Sequence, residues 1–302
     1  MTDRKPMPRS VERIIRAATE ISMDAPGDQD KAFLARQLVQ TTLPHADPGE
    51  VPVWSRSNGN VTLTIQQGFK SSGEGVGHPY GTIPRLLMYW MTTEAVRTKS
   101  PRLLLGDSLA SFMEELGLDP RRAGPRSDRA RLEQQMRRLF AERISFEASI
   151  ETEDAGAEIV EYMPIARRTV LWWNKKDNPD QKTLWESYVE LDSEFFASIT
   201  ANPVPVDLRA LRAIKRSPLA LDLYSLLTYQ AFRASKSGRP VFISWRQMQT
   251  ALGTSYAQHT DLKKAIKAAL AKIQTVYPGL AIGGREGGLE VLPESVPAIA
   301  QR

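Results

Sequence analysis

The order of predicted elements in the middle of the chain recurs towards its end. From Thr82 to about Trp173, the spacing of apolar residues predicts a long helix, a short strand, a short helix, a basic helix and a strand pair. The same succession runs from Ser217 to Leu292. Parallel order in two copies predicts tandem related domains. This feature constrains the fold more than any single residue does.

Capping and turn residues fall at equivalent places in the two copies. Each long helix begins at a hydroxyl residue, Thr82 or Ser217, with proline in its first turn. Gly117 and Gly253 each follow a leucine at the end of the short helix, where a left-handed backbone is favoured. Each copy is typical of a winged helix-turn-helix, which places one helix in the major groove of duplex DNA. The predicted fold class is therefore α+β, with tandem winged helix-turn-helix domains and an N-terminal helical and hairpin extension.

The predicted boundaries are residues 1–75 for the extension, 76–200 for the first winged-helix domain and 201–302 for the second. Helical spacing of apolar residues predicts two helices in the extension, one around Val11 and one from Phe33 to Leu43. Two alternating segments joined at Asn58-Gly59 predict a hairpin, because that dipeptide favours a tight turn. The glycine-rich residues 68–81 predict a mobile connector, since no Gly-Lys-Ser/Thr follows to form a phosphate loop.

Positive charge is concentrated in the two basic helices. The whole chain has 40 Lys+Arg against 35 Asp+Glu, a net charge of only +5. Gly117–Phe140 contains seven arginines and three carboxylates, and Tyr256–Lys272 contains four lysines and one carboxylate. Charge runs commonly form solvated helix faces, and that alternative stays open. Their equivalent places in the repeated order favour binding to double-stranded DNA.

Arginine and lysine side chains can pair with guanine in the major groove or with phosphates. Arg126, Arg129 and Arg131 lie near the start of the first basic helix, where base edges are usually reached, whereas Arg137 and Arg138 are expected to meet phosphate. Arg285 lies between glycines at the tip of the second wing. The predicted DNA-binding residues are Arg121, Arg122, Arg126, Arg129, Arg131, Arg137, Arg138, Ser255, Tyr256, His259, Lys263, Lys264, Lys267 and Arg285.

Catalytic patterns are not evident in the sequence. The three histidines are far apart, cysteine is absent, and neither a Walker A sequence nor a Gly-x-Ser-x-Gly motif occurs. We therefore expect no enzymatic activity, no metal and no cofactor. Apolar runs are too short to cross a membrane and no secretory signal is visible, so a cytoplasmic location is expected. Trp172, Trp173 and Trp185 could stack on single strands, but packing in the core or at a domain interface is favoured.

Several segments closely resemble plasmid-encoded RepA-type replication initiators. The segments are His78–Leu87, Thr92–Ser100, Leu105–Leu109, Gln135–Phe140, Pro203–Asp207, Lys215–Tyr224 and Tyr277–Leu280, within a resemblance that covers about residues 33–292. The resemblance implies a theta-type initiator that binds direct repeats in a plasmid origin, promotes opening of the duplex and recruits the host initiator and replicative helicase. It also implies monomers and homodimers, with the dimer repressing its own promoter at an operator inverted repeat. The predicted site residues rest on helix placement, not on this resemblance.

Two other classes of function remain open at this point. A dimeric winged-helix transcriptional repressor would use the same DNA-binding parts on an inverted repeat, without opening the strands. A nuclease or nucleotidyltransferase would require metal-dependent cleavage or polymerisation.

Overall fold

The computed structural model confirms an α+β protein. It describes residues 8–59, 61–151, 156–171, 187–252 and 259–299. In chain order, the elements up to the first strand pair are α1 (Arg9–Met23), β1 (Lys31–Ala35), α2 (Arg36–Gln40), β2 (Val53–Asn58), β3 (Val61–Gln66), α3 (Thr82–Thr98), β4 (Arg102–Leu104), α4 (Leu109–Glu115), α5 (Asp128–Ala141), β5 (Arg143–Glu151) and β6 (Gly156–Pro164). The following elements are β7 (Ala166–Val170), β8 (Tyr188–Leu191), α6 (Ser193–Ala201), β9 (Pro203–Asp207), α7 (Leu208–Ile214), α8 (Pro218–Ser237), β10 (Val241–Ser244), α9 (Trp245–Leu252), α10 (His259–Val276), β11 (Ile282–Arg285) and β12 (Gly288–Val291).

The chain forms two compact units. The first, called the terminal unit here, comprises residues 1–32, 205–246 and 256–302. The second, called the central unit, comprises residues 33–204 and 247–255. The chain passes from one unit to the other within β1, within β9 and within α9, and returns between residues 255 and 256, which lie outside the described residues. The boundaries drawn from the sequence stay a prediction.

The terminal unit is built on α8, which is buried along most of its length. Ser217 caps this helix by accepting the Ala220 N–H at 3.2 Å, and Gly238 ends it at a φ of 65°. Helix α10 packs against α8 and α1. An antiparallel sheet of order β10-β12-β11 follows, with the side chains of Ile243 and Val291 buried. The predicted succession of helix, strand, helix, basic helix and hairpin is therefore present.

The central unit is built around α3, in which residues 83–93 are all buried. Trp90 packs edge-on against Phe112 of α4, with 4.9 Å between the ring centroids. Two sheets flank this core, of order β2-β3-β5-β6 and β4-β8-β7. The hairpin at Asn58-Gly59 is confirmed, and Gly59 has the positive φ of 63° that the turn needs. This hairpin joins the β5–β6 pair through β3, so it is part of the central unit's sheet.

Three local predictions differ from the structure. Phe33 lies in a strand, not a helix, and its N–H donates to Thr93 Oγ1 at 2.9 Å. Helix α3 starts at Thr82, so Gly81 and not Thr82 is the capping position. The glycine-rich segment is fixed at its end, because Tyr80 N–H donates to Gln135 Oε1 at 2.9 Å and His78 is fully buried. Gly253, Trp172, Trp173 and Trp185 lie outside the described residues.

Candidate nucleic-acid interface

Helix α10 presents a row of lysines to solvent. Leu262, Ile266 and Ile273 are at most 1% exposed and form its inner face. The lysines of its outer face, all exposed, are Lys263, Lys264, Lys267 and Lys272. Among the described residues, none of the ion pairs within 4.0 Å includes these lysines. Their charges are thus available to an anion.

Three further predicted residues come before the lysine row in the sequence. Ser255 and Tyr256 lie outside the described residues, and His259 is the first residue of α10. Lys263 Nζ lies 5.1 Å from the centroid of the Trp245 ring. This is a cation–π contact, and it leaves the positive charge of the lysine in place.

Arg285 lies on the β11–β12 hairpin of the terminal unit, at the end of β11. Its side chain is 62% exposed, and Nη1 donates to Glu290 Oε1 at 2.9 Å. Its guanidinium also lies 4.9 Å from the centroid of the Phe242 ring. The cation is therefore exposed, but it already contacts one carboxylate and one aromatic ring.

Helix α5 carries the arginines of the central unit. Leu132, Met136 and Leu139 are fully buried on its inner face, and Ser127 caps its start by accepting the Ala130 N–H at 3.2 Å. Arg129 is half-buried. The predicted residues that are exposed are Arg121, Arg122, Arg126, Arg131 and Arg137. The turn before α5 and the first turn of the helix line an open cavity of about 410 Å³.

Carboxylates lie beside several of these arginines. Arg137 Nη2 is 2.8 Å from Glu133 Oε1, and Arg131 Nη1 is 3.4 Å from Asp128 Oδ1. Arg122 Nε is 3.5 Å from Asp119 Oδ2. Exposed pairs within one helix or turn contribute little to stability. A phosphate can therefore take the place of the carboxylate at small cost.

Arg138 has a different environment from its neighbour Arg137. Its side chain is only 14% exposed, and Nη1 donates to Asp47 Oδ2 at 3.1 Å and to the His78 carbonyl oxygen at 2.9 Å. The guanidinium lies 5.1 Å from the Tyr80 ring centroid. These contacts connect α5 to two earlier segments of the central unit. Because the guanidinium is covered and already bonded within the protein, it is not available for the phosphate contact expected of Arg138.

A buried acid–base pair next to Arg138 was not found from the sequence. His78 Nδ1 lies 3.4 Å from Glu142 Oε1, and both side chains are fully buried. Burial raises the pKa of Glu142 to about 7, against the opposing effects of His78 and Arg138. Burial lowers the pKa of His78, but the interactions with Glu142 outweigh it and the pKa is raised. The two residues are 64 positions apart, so no local spacing could have indicated the pair.

No three His, Asp or Glu side chains of the described ranges are grouped so that they could hold a metal ion. Within the same ranges, no helix has the length and hydropathy needed to span a bilayer.

Comparison with known proteins gives a match to a family and remote similarities to solved structures, two of which are described here. The chain resembles the crystal structure of domains 2 and 3 of RctB with 8% identity and a TM-score of 0.45, over 84% of this chain and 94% of that chain. It resembles selenomethionine derivatives of the same two domains with 9% identity and a TM-score of 0.48, over 85% and 97% of the two chains. No curated protein matches its sequence.

The family match covers more than half of the chain. Residues 78–247 match the family described as plasmid encoded RepA protein, from the buried His78 through α3, α5 and α8 to the start of α9. The matched range includes most of the segments whose amino-acid sequences resemble RepA-type initiators. The chain therefore belongs to the family of plasmid-encoded RepA replication initiators.

Proposed function

We propose that this protein initiates plasmid replication by binding duplex origin DNA through exposed cations on α10 and α5. The observation that carries the proposal is the lysine row of α10, which is exposed and has no carboxylate partner among the described residues. Family membership supports the replication role. Neutralising DNA phosphates with such cations releases counterions and supplies much of the binding free energy.

The arrangement of the terminal unit supports a winged helix-turn-helix. The strand before α9 pairs with β12, and β12 pairs with β11, so the sheet has the wing hairpin beside the short strand. In this fold the second helix of the helix-turn-helix enters the major groove. That helix is α10, and Lys263, Lys264 and Lys267 lie in its first half.

The central unit supports a modified version of the same arrangement. Helix α5 is followed by the β5–β6 hairpin, as the second helix of a winged helix is followed by its wing. The short strand β4, however, pairs with β8 and not with this hairpin. Arginines of α5 lie beside carboxylates, and a DNA phosphate can replace such a carboxylate as the anionic partner. We therefore infer that α5 mainly contacts backbone phosphates.

The proposed binding sites are direct repeats in a plasmid origin. Binding is proposed to open the duplex beside them, after which the host initiator and replicative helicase are recruited. Footprinting of the DNA that flanks this gene, with permanganate on a supercoiled plasmid, tests both steps. We expect protection of direct repeats and reactive thymines beside them. Protection of an inverted repeat without reactive thymines would instead identify a repressor, and no protection would refute sequence-specific binding.

Substitution of Lys264→Ala with Lys267→Ala tests the role of α10. We expect weaker binding to the flanking duplex and a salt slope reduced by about one for each lost phosphate contact. A matched control, Lys70→Ala with Arg97→Ala, removes two exposed positive charges that have local carboxylate partners outside α10. Equal binding by both double variants at fixed salt would overturn the assignment of α10.

A further inference from the structure

Two aromatic side chains at the junction of β10 and α9 lie against two cations of the terminal unit. We propose that Phe242 and Trp245 are positioning residues, which hold Arg285 of the wing and Lys263 of α10 ready for phosphates of duplex DNA. This inference rests on the proposed function, and it adds two residues that the basic patterns in the sequence do not include. All four residues belong to the terminal unit.

The first ring is placed by the sheet. Phe242 lies opposite Glu290 on the face away from the buried Ile243, and it is 37% exposed. A Cβ atom at Gly288 would clash with the Ile243 carbonyl oxygen and come within 2.8 Å of the Phe242 ring, so glycine is needed here both for the strand pairing and for the ring. The Arg285 guanidinium then lies 4.9 Å from the ring centroid, while Nη1 donates to Glu290. Glycine at position 288 thus permits the stack.

The second ring is placed by the wing turn. Trp245 N–H donates to the Gly287 carbonyl oxygen at 2.9 Å, and Gly287 has a φ of 82°. This bond joins the first residue of α9 to the turn between β11 and β12. Lys263 Nζ lies 5.1 Å from the Trp245 ring centroid. The two rings, three residues apart in sequence, therefore connect the wing and α10 to one junction.

An aromatic support differs from a carboxylate partner in its effect on an anion-binding cation. A long cationic side chain loses rotamer freedom when it binds phosphate, and prior restraint reduces that loss. A ring face restrains the cation without neutralising its charge. An exposed cation–π contact favours the restrained position of the cation by about two- to fivefold, which sets the largest gain in affinity that this restraint can give. Lys263 is thereby restrained without a carboxylate partner among the described residues. Arg285 is restrained in the same way, and its exposed pair with Glu290 is of the kind that a phosphate can replace at small cost.

Binding of a fluorescein-labelled duplex from the DNA flanking the gene, measured by anisotropy over a salt series, tests the proposal. We expect Phe242→Leu and Trp245→Leu each to weaken binding about two- to fivefold and to reduce the salt slope. Phe242→Tyr and Trp245→Phe keep an aromatic face and should bind as the unsubstituted protein does. Thermal unfolding of each variant shows whether it is folded, and Phe242→Leu, on the exposed face, carries the test if Trp245→Leu does not fold.

A double-mutant cycle separates positioning from general support of the fold. If Trp245 acts through Lys263, then Trp245→Leu has no further effect in a Lys263→Ala background. If Trp245→Leu weakens duplex binding just as much in that background, this inference is overturned. It is also overturned if the Leu variants bind normally while Lys264→Ala with Lys267→Ala is impaired, and in both cases the proposed function stands. Failure of the Lys264 and Lys267 pair itself to matter would instead overturn the proposed function.

Discussion

The buried His78–Glu142 pair gives a residue-scale prediction for the pH dependence of stability. The pKa of Glu142 is about 7 in the folded protein and 4.5 as its ordinary value, so the folded state binds more protons between these values. The raised pKa of His78 acts in the same direction. The contribution of Glu142 to the free energy of unfolding is therefore present in full at the low end of this window. It falls as pH rises from about 4.5 to about 7, by at most about 3 kcal/mol.

The Tm of the unsubstituted protein and of Glu142→Gln, measured between pH 5 and 8, tests this sign. Glutamine keeps the shape of the side chain and does not titrate, so the difference between the two Tm values should change with pH. Parallel Tm curves for the two proteins would show that Glu142 does not titrate as proposed.

Arg137 and Arg138 provide a matched pair of substitutions. Arg138→Ala leaves Asp47 and the His78 carbonyl oxygen without this donor, so we expect a loss of about 1–3 kcal/mol of stability. Arg137→Ala removes an exposed pair with Glu133 and should leave the Tm nearly unchanged while weakening DNA binding. Thermal unfolding and anisotropy on the same duplex measure both effects. The reverse pattern would place Arg138, not Arg137, at the interface.

The sequence shows why these neighbours could not be told apart in advance. Both arginines belong to one basic run, and both lie outside the apolar stripe that predicts α5. The partner that distinguishes them, Asp47, is 91 positions away and belongs to a segment without regular periodicity. A helical pattern predicts which residues face inward, but it does not predict which polar residues at the margin of that face are covered by a distant segment.

At the scale of elements, local signals predicted most helices and hairpins but few strand partners. The cap at Ser217 and the turn at Asn58-Gly59 depend on residues within four positions, and both are present. The pairings of β3 with β5 and of β4 with β8 join strands about 80 positions apart. Alternation of apolar residues shows that a strand has one buried face, but it does not identify the neighbouring strand.

The arginine turn before α5 gives an element-scale prediction. Arg121, Arg122 and Arg126 are exposed, so their replacement by alanine should leave the Tm nearly unchanged. We expect weaker duplex binding and a smaller salt slope, because this turn lines the open cavity at the start of α5. The control Arg97→Ala with Lys70→Ala should bind as the unsubstituted protein does. A normal salt slope in the triple variant would restrict DNA binding to the terminal unit.

At the scale of the whole molecule, the terminal unit contains segments that are distant in sequence. Helix α1 packs against α7 and α10, and Arg13 Nε donates to the Ala213 carbonyl oxygen at 2.9 Å. Arg209, which forms an ion pair with Asp207 at 2.7 Å, donates to the Asp24 carbonyl oxygen at 3.0 Å. The helix that carries the lysine row is therefore supported by the first helix of the chain.

A fragment comprising residues 201–302, the second domain expected from the sequence, lacks this support. We expect it to have a lower Tm than the same fragment joined to residues 8–32 by a flexible linker, because without α1 the apolar surface between α7 and α10 is open to water. Circular dichroism melting of the two fragments measures the difference, and duplex binding should follow the folded fraction. If the short fragment melted at the same temperature and bound DNA equally well, α1 would be dispensable and the sequence-based boundary would describe an autonomous domain.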